Sequence, residues 1–144
     1  MSITRTFTAL ALAASAALTT TALAVAPAHA GGAPDFSTVT VDRQAHLSAG
    51  EVAVGGTYSC TVPDPQMTSG TGTIGVELVT RSGVATTGSV AVTCDGTSRD
   101  WTVTAPAGDL RPGRVQVYGH VEVTDSDGNT PWDLFDASVT VRRA

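Results

Sequence analysis

Group-transfer or hydrolytic chemistry needs a nucleophile, a base within reach and a third group that orients the base. Beyond residue 30 the imidazoles are His46 and His120. His120 stands between Tyr118 and Glu122 in an alternating run, on the parity that faces water. His46 follows Gln44-Ala45 near a turn and has no evident partner. No Gly-x-Ser-x-Gly elbow occurs, and no glycine-rich phosphate loop opens a helix. Carboxylate pairs exist, as 13 acidic residues make unavoidable. The expectation is a protein that is not an enzyme, with no catalytic residues and no cofactor.

Three further features could bind something. Asp125-Ser126-Asp127-Gly128-Asn129, with Asp133 beyond, gathers oxygen ligands of the kind Ca²⁺ takes. The EF-hand loop wants Gly sixth and Glu twelfth. Here Gly128 comes fourth and no glutamate follows, so a polar turn built from αL-tolerant residues is expected, and no metal. Pro131-Trp132 belongs to the same segment. Trp132 serves either as a ligand anchor or as a cap folded back on the end of the domain, and capping is the expected role. Thr61 to Thr73 is a proline-containing loop that a disulfide could brace, with Met67 displayed as an inhibitor displays its reactive residue.

These residues need elements to hold them. From Gly31 onward no apolar pattern at i, i+3, i+4, i+7 persists over three turns, whereas period-2 alternation recurs. Val39 and Val41 begin it. Val52, Val54, Tyr58, Cys60 and Val62 share one face of a second strand. Ile74, Val76 and Leu78 mark a third, and Val90, Val92 and Cys94 a fourth. Trp101, Val103 and Ala105 mark a fifth, with Trp101 in the core. Val115, Val117, Val121 and Val123 make a sixth, and Phe135, Ala137, Val139 and Val141 a seventh. Turn signals separate them: Ser48-Ala49-Gly50, Pro63-Asp64-Pro65, Arg81-Ser82-Gly83, Asp95-Gly96, Pro106-Ala107-Gly108 and Asp127-Gly128-Asn129. Seven short strands, each apolar on one side, predict an all-β antiparallel sandwich or barrel whose sheets wet one face and bury the other.

The parity also selects register. A slip of one residue in the sixth strand would expose its four valines and bury Gln116, Tyr118, His120 and Glu122. Each valine contributes about 1.5–3 kcal/mol by burial, so the slip is excluded.

Residues 1–30 read as a secretory signal. Arg5 supplies the positive start, Ala9 to Leu18 an apolar run, and Ala28-His29-Ala30 the small residues before a cleavage between Ala30 and Gly31. The run is too short for a membrane anchor and Thr19-Thr20-Thr21 interrupts it. The expected organisation is a signal-peptide helix at 1–30, a flexible lead at 31–36 and one β-domain at 37–144. The chain of 144 residues has a formal charge of −5, and loss of Arg5 makes the remainder more acidic. With no Lys, nucleic acid and anionic membrane surfaces are not its expected partners. The expected exported form is extracellular, monomeric and free of the membrane.

Cys60 and Cys94 are the two cysteines of an exported chain. Each has inward parity, on a different strand, which predicts a single disulfide. The competing arrangement is a pair of buried free thiols. Two cysteines alone supply too few ligands for a structural zinc, and neither His46 nor His120 is spaced to complete a set. Gly56-Thr57-Tyr58-Ser59-Cys60, then Cys94-Asp95-Gly96-Thr97 and Trp101-Thr102-Val103, resembles a group of small secreted actinobacterial proteins carrying a domain of unknown function. The resemblance covers most of Asp35 to Val141. It implies an immunoglobulin-like β-sandwich with one disulfide, and it brings no catalytic residue with it. Immunoglobulin domains proper place a Trp between the two Cys and a Tyr two before the second. Here Trp101 follows Cys94 and Tyr58 sits two before the first, so the likeness is one of architecture and strand order stays open.

The function expected from these residues is a secreted, non-catalytic β-sandwich whose binding surface, if it has one, lies on end loops. A second reading is a small-molecule carrier, by a weaker likeness in size and secretion to the enediyne-carrier apoproteins (neocarzinostatin-like), which have two disulfides where this chain can form one. A secreted protease inhibitor is the third. Ligand and partner are not legible in the sequence.

Overall fold

The computed structural model describes residues 36–144. The expected signal peptide, its Ala30–Gly31 cleavage point and nearly all of the lead lie outside the described residues. Its last residue, Phe36, is buried, and its N–H and that of Ser37 both donate to Asp133 Oδ2, at 3.1 and 3.0 Å.

Eight strands follow among the described residues: β1 (Ser37–Val39), β2 (Gln44–Ser48), β3 (Glu51–Cys60), β4 (Gly70–Thr80), β5 (Gly83–Cys94), β6 (Arg99–Pro106), β7 (Gly113–Val123) and β8 (Trp132–Arg143). The fold is all-β as expected, with one strand more than the alternation indicated. The extra strand is β2, which holds a single fully buried residue, Ala45, and so writes almost no period-2 pattern.

Strand order is β1-β3-β2-β8-β7-β4-β5, with β6 on the other edge of β3. The expectation of a purely antiparallel arrangement is corrected at one place: β2 runs parallel to β8, Gln44 opposite Thr140 and Leu47 opposite Arg143. The reason lies in the edge of β3. Residues 37–42 follow it antiparallel, with Thr40 N–H on Thr57 O and Asp42 N–H on Gly55 O. The chain then swells outward, and the carbonyl of Arg43 accepts from Thr140 N–H. After this bulge β2 still touches the end of β3, at His46–Ala53, while its far edge has passed to β8. A two-residue turn joins β2 to β3, with φ of 50° at Ala49 and 82° at Gly50, the double left-handed geometry that suits strand twist.

The buried set confirms the parity. Val52, Val54, Tyr58 and Cys60 of β3 point inward together with Ile74, Val76 and Leu78 of β4, Trp101, Val103 and Ala105 of β6, four valines of β7, and Phe135, Val139 and Val141 of β8. Trp101 meets Phe135 edge to face, with ring centroids 6.1 Å apart, and its indole N–H donates to Thr40 O at 3.1 Å. A buried indole needs such a partner. No buried side-chain nitrogen or oxygen among the described residues lacks one. Cys60 and Cys94 are bonded, tying the end of β3 to the end of β5, two strands that do not pair.

Trp101 is set apart from this bridge along β3. Asp95-Gly96 carries the chain from β5, which pairs with β4, to β6, which pairs with β3. Trp101 therefore sits opposite Gly56, four residues from Cys60 along β3, or roughly 13 Å. Tyr58 occupies the same inward face between them, its hydroxyl accepting Thr93 N–H at 3.3 Å.

Candidate functional site

The outward face of β8, β7, β4 and β5 is a grid that the strand register defines. One row reads Trp132, Glu122, Thr73, Ala91. The next reads Leu134, His120, Gly75, Ser89. The third reads Asp136, Tyr118, Glu77, Thr87. Side chains opposite one another on neighbouring strands stand about 5 Å apart, and successive rows about 7 Å.

Large apolar side chains on this face stay in water. Trp132 is 59% exposed, Tyr118 51% and Leu134 48%. Trp132 opens β8 and points outward, so it neither folds back nor caps an end as expected. Beside them lies a shallow depression of about 360 Å³, lined by Thr73, Glu77, Thr87, Ser89, His120 and Glu122. Gly75 makes it possible: the imidazole of His120 lies against the space where a Gly75 side chain would project. His120 thus has the expected outward parity, but it is half-buried across its neighbour's backbone instead of fully solvated.

No hydrogen bond joins His120 to Ser89, Glu77 or Glu122, so the imidazole has no orienting partner among the described residues. His46 is exposed on β2 beside Arg142, eight residues along β8 from Leu134, a separation of roughly 27 Å. The two histidines share no site. Glu77 and Glu122 have no cation partner among the described residues, where the ion pair is Arg99–Asp95 at 2.6 Å. That pair holds the Asp95 carboxyl well below its ordinary range, chiefly through the guanidinium hydrogen bonds and then through Thr97 N–H.

The Asp125 loop spends its oxygens on itself. Asp125 Oδ1 accepts from Asp127 N–H and Asn129 N–H at 2.9 and 2.8 Å, and Oδ2 from the Asn129 amide at 3.0 Å. Ser126 donates through both N–H and hydroxyl to Asp64 of the β3–β4 loop. Asp133, named above among the oxygen-bearing residues of this segment, holds Phe36 and Ser37. Among the described residues no three His, Cys, Asp or Glu side chains gather as a metal site would need. Met67 packs against the core from the β3–β4 loop and is not displayed. Among the described residues no helix is long and apolar enough to cross a membrane.

The residues that sequence reasoning missed as a group are Trp132, Leu134, Tyr118, Glu77 and Glu122. Their outward parity was readable, but their adjacency depends on register between β8, β7 and β4.

Eight strands, one disulfide and this aromatic and acidic face define a small all-β domain. A family profile matches residues 35–142, and the chain belongs to that family, DUF6299, a family of unknown function. A search of curated proteins finds no match.

Proposed function

We propose that this chain is an exported, non-catalytic binding module that holds its ligand on the outward face of β8, β7 and β4. One observation carries the reading. Three of the four large apolar side chains that stay exposed among the described residues, Tyr118, Trp132 and Leu134, lie on one face beside one depression. Apolar side chains scattered singly need no explanation, whereas a contiguous group marks an interaction surface. This reading puts the binding surface on the sheet itself, next to the β7–β8 loop, where the sequence had suggested end loops.

The scaffold reads as an immunoglobulin-like sandwich, with β1, β3 and β6 in one layer and β2, β8, β7, β4 and β5 in the other. The Trp101–Phe135 contact and the β3–β5 disulfide support that closure. Export is supported by Ala28-His29-Ala30 after an apolar run and by the bonded cysteines, which persist in oxidising surroundings. The non-catalytic reading is supported by a His120 imidazole that no neighbour among the described residues orients.

Native mass spectrometry of the protein purified from its own culture medium tests this. The expected species starts at Gly31, contains one disulfide and carries an adduct that Trp132→Ala reduces. Retention of Met1, or an adduct indifferent to Trp132, would overturn it.

A further inference from the structure

Resting on the reading of this face as a ligand site, we propose that its ligand is a small organic cation, an ammonium or guanidinium head on an apolar body. Two cross-strand pairs define the surface: Trp132 beside Glu122, and Tyr118 beside Glu77. Each places an exposed aromatic ring next to a carboxylate that has no cation partner among the described residues. They lie on either side of the row Leu134, His120, Gly75, Ser89. The backbone positions of Glu122 and Glu77 are about 14 Å apart, judged by the rise of four residues on β4.

Cations are attracted both to an aromatic face and to a carboxylate, and the two attractions add where ring and carboxylate stand together. The arginines of this face do not compete. Arg114 lies four residues beyond Tyr118 on β7, Arg142 eight beyond Leu134 on β8 and Arg81 four beyond Glu77 in the β4–β5 turn, all toward the opposite end of the sheet. The Trp132 end is therefore anionic and the far end cationic. Leu134 receives the apolar body, while the head sits at a ring–carboxylate pair on the margin of the depression, whose lining adds the hydroxyls of Thr73, Thr87 and Ser89. An anionic ligand would meet two carboxylates there, with no Arg or Lys in the lining and only the His120 imidazole beside them.

The test is an amide-resolved NMR titration of the oxidised protein with benzyltrimethylammonium, and in parallel with phenyl β-glucoside, a neutral molecule of similar apolar body. Saturable shifts confined to residues 73–77, 87–89, 118–122 and 132–134 are expected with the cation. Glu122→Gln and Glu77→Gln should each weaken it roughly threefold, and Trp132→Ala roughly fivefold, with recovery in Trp132→Phe. Unchanged spectra elsewhere show that each variant folds. Equal binding of the glucoside at these residues, or affinity indifferent to both glutamates, would overturn the cation assignment and leave the face as a ligand site. Absence of saturable shifts with either probe would overturn both.

Discussion

The far edge of the Phe135 ring lies over Gly119, the residue opposite it on β7, in the space a side chain there would fill. The same ring meets Trp101, whose indole reaches Thr40. One contact line thus runs from β7 through β8 and β6 to the segment after β1.

Gly119→Ala should overpack this line and destabilise by roughly 1–3 kcal/mol, while Phe135→Ala should cost roughly 3–5 kcal/mol by leaving a cavity. The two must couple. In the Phe135→Ala background the added methyl meets open space, so Gly119→Ala should then cost much less. Urea unfolding of both single variants and the double variant measures this, and strict additivity would refute the contact.

Reduction of Cys60–Cys94 should cost about 3.5–4 kcal/mol, since the bond closes a loop with a sequence separation of 34. Alkylation of the denatured protein without reductant should modify neither cysteine. A Cys60→Ser, Cys94→Ser variant as stable as the parent would show that the loop-closure account does not apply.

Trp101→Ala should destabilise by roughly 3–5 kcal/mol, and His120→Ala by about 0.5 kcal/mol. Trp101 supports Phe135 and the Thr40 carbonyl from inside the core, whereas His120 covers only Gly75 from outside. Thermal unfolding that ranked the two the other way would reverse the assignment of faces.

Acid should destabilise the fold through carboxylates that are hydrogen-bonded when folded. The Ser126 hydroxyl and Gln66 N–H lower Asp64 from its ordinary 3.8, the Arg99 guanidinium lowers Asp95, and the Asn129 amide lowers Asp125. A depressed folded value means the stabilisation is complete above the ordinary value and is lost as pH falls through the folded one. Stability should be flat between about pH 7 and 5 with respect to these groups and should fall below about pH 4. Ser126→Ala should move the acid midpoint upward. A midpoint unchanged by Ser126→Ala would show that the Asp64 contact contributes nothing.

What the sequence determined by itself is the set of faces. Burial on one side only writes a period of two into β3, β4, β6, β7 and β8, because a single slipped residue would expose every valine of a strand. The inward parity of Cys60 and Cys94 followed, and with it the disulfide. β2 left little trace, since an edge element with one buried alanine needs no alternation, and its parallel partner β8 lies nearly a hundred residues away. Phe36 was equally unreadable as a fixed point, because Asp133, the residue that holds it, belongs to the other end of the domain. Trp101 took the face its parity gave, but parity reports only which side a residue takes, while register against β3 decides what it meets. The candidate site follows the same division. That Tyr118, His120 and Glu122 face water is local information. That they stand beside Leu134 and Trp132 was decided by the register of β7 against the next strand, β8, and that they stand beside Glu77 by pairing with β4, distant in the chain, which only the folded structure brings together.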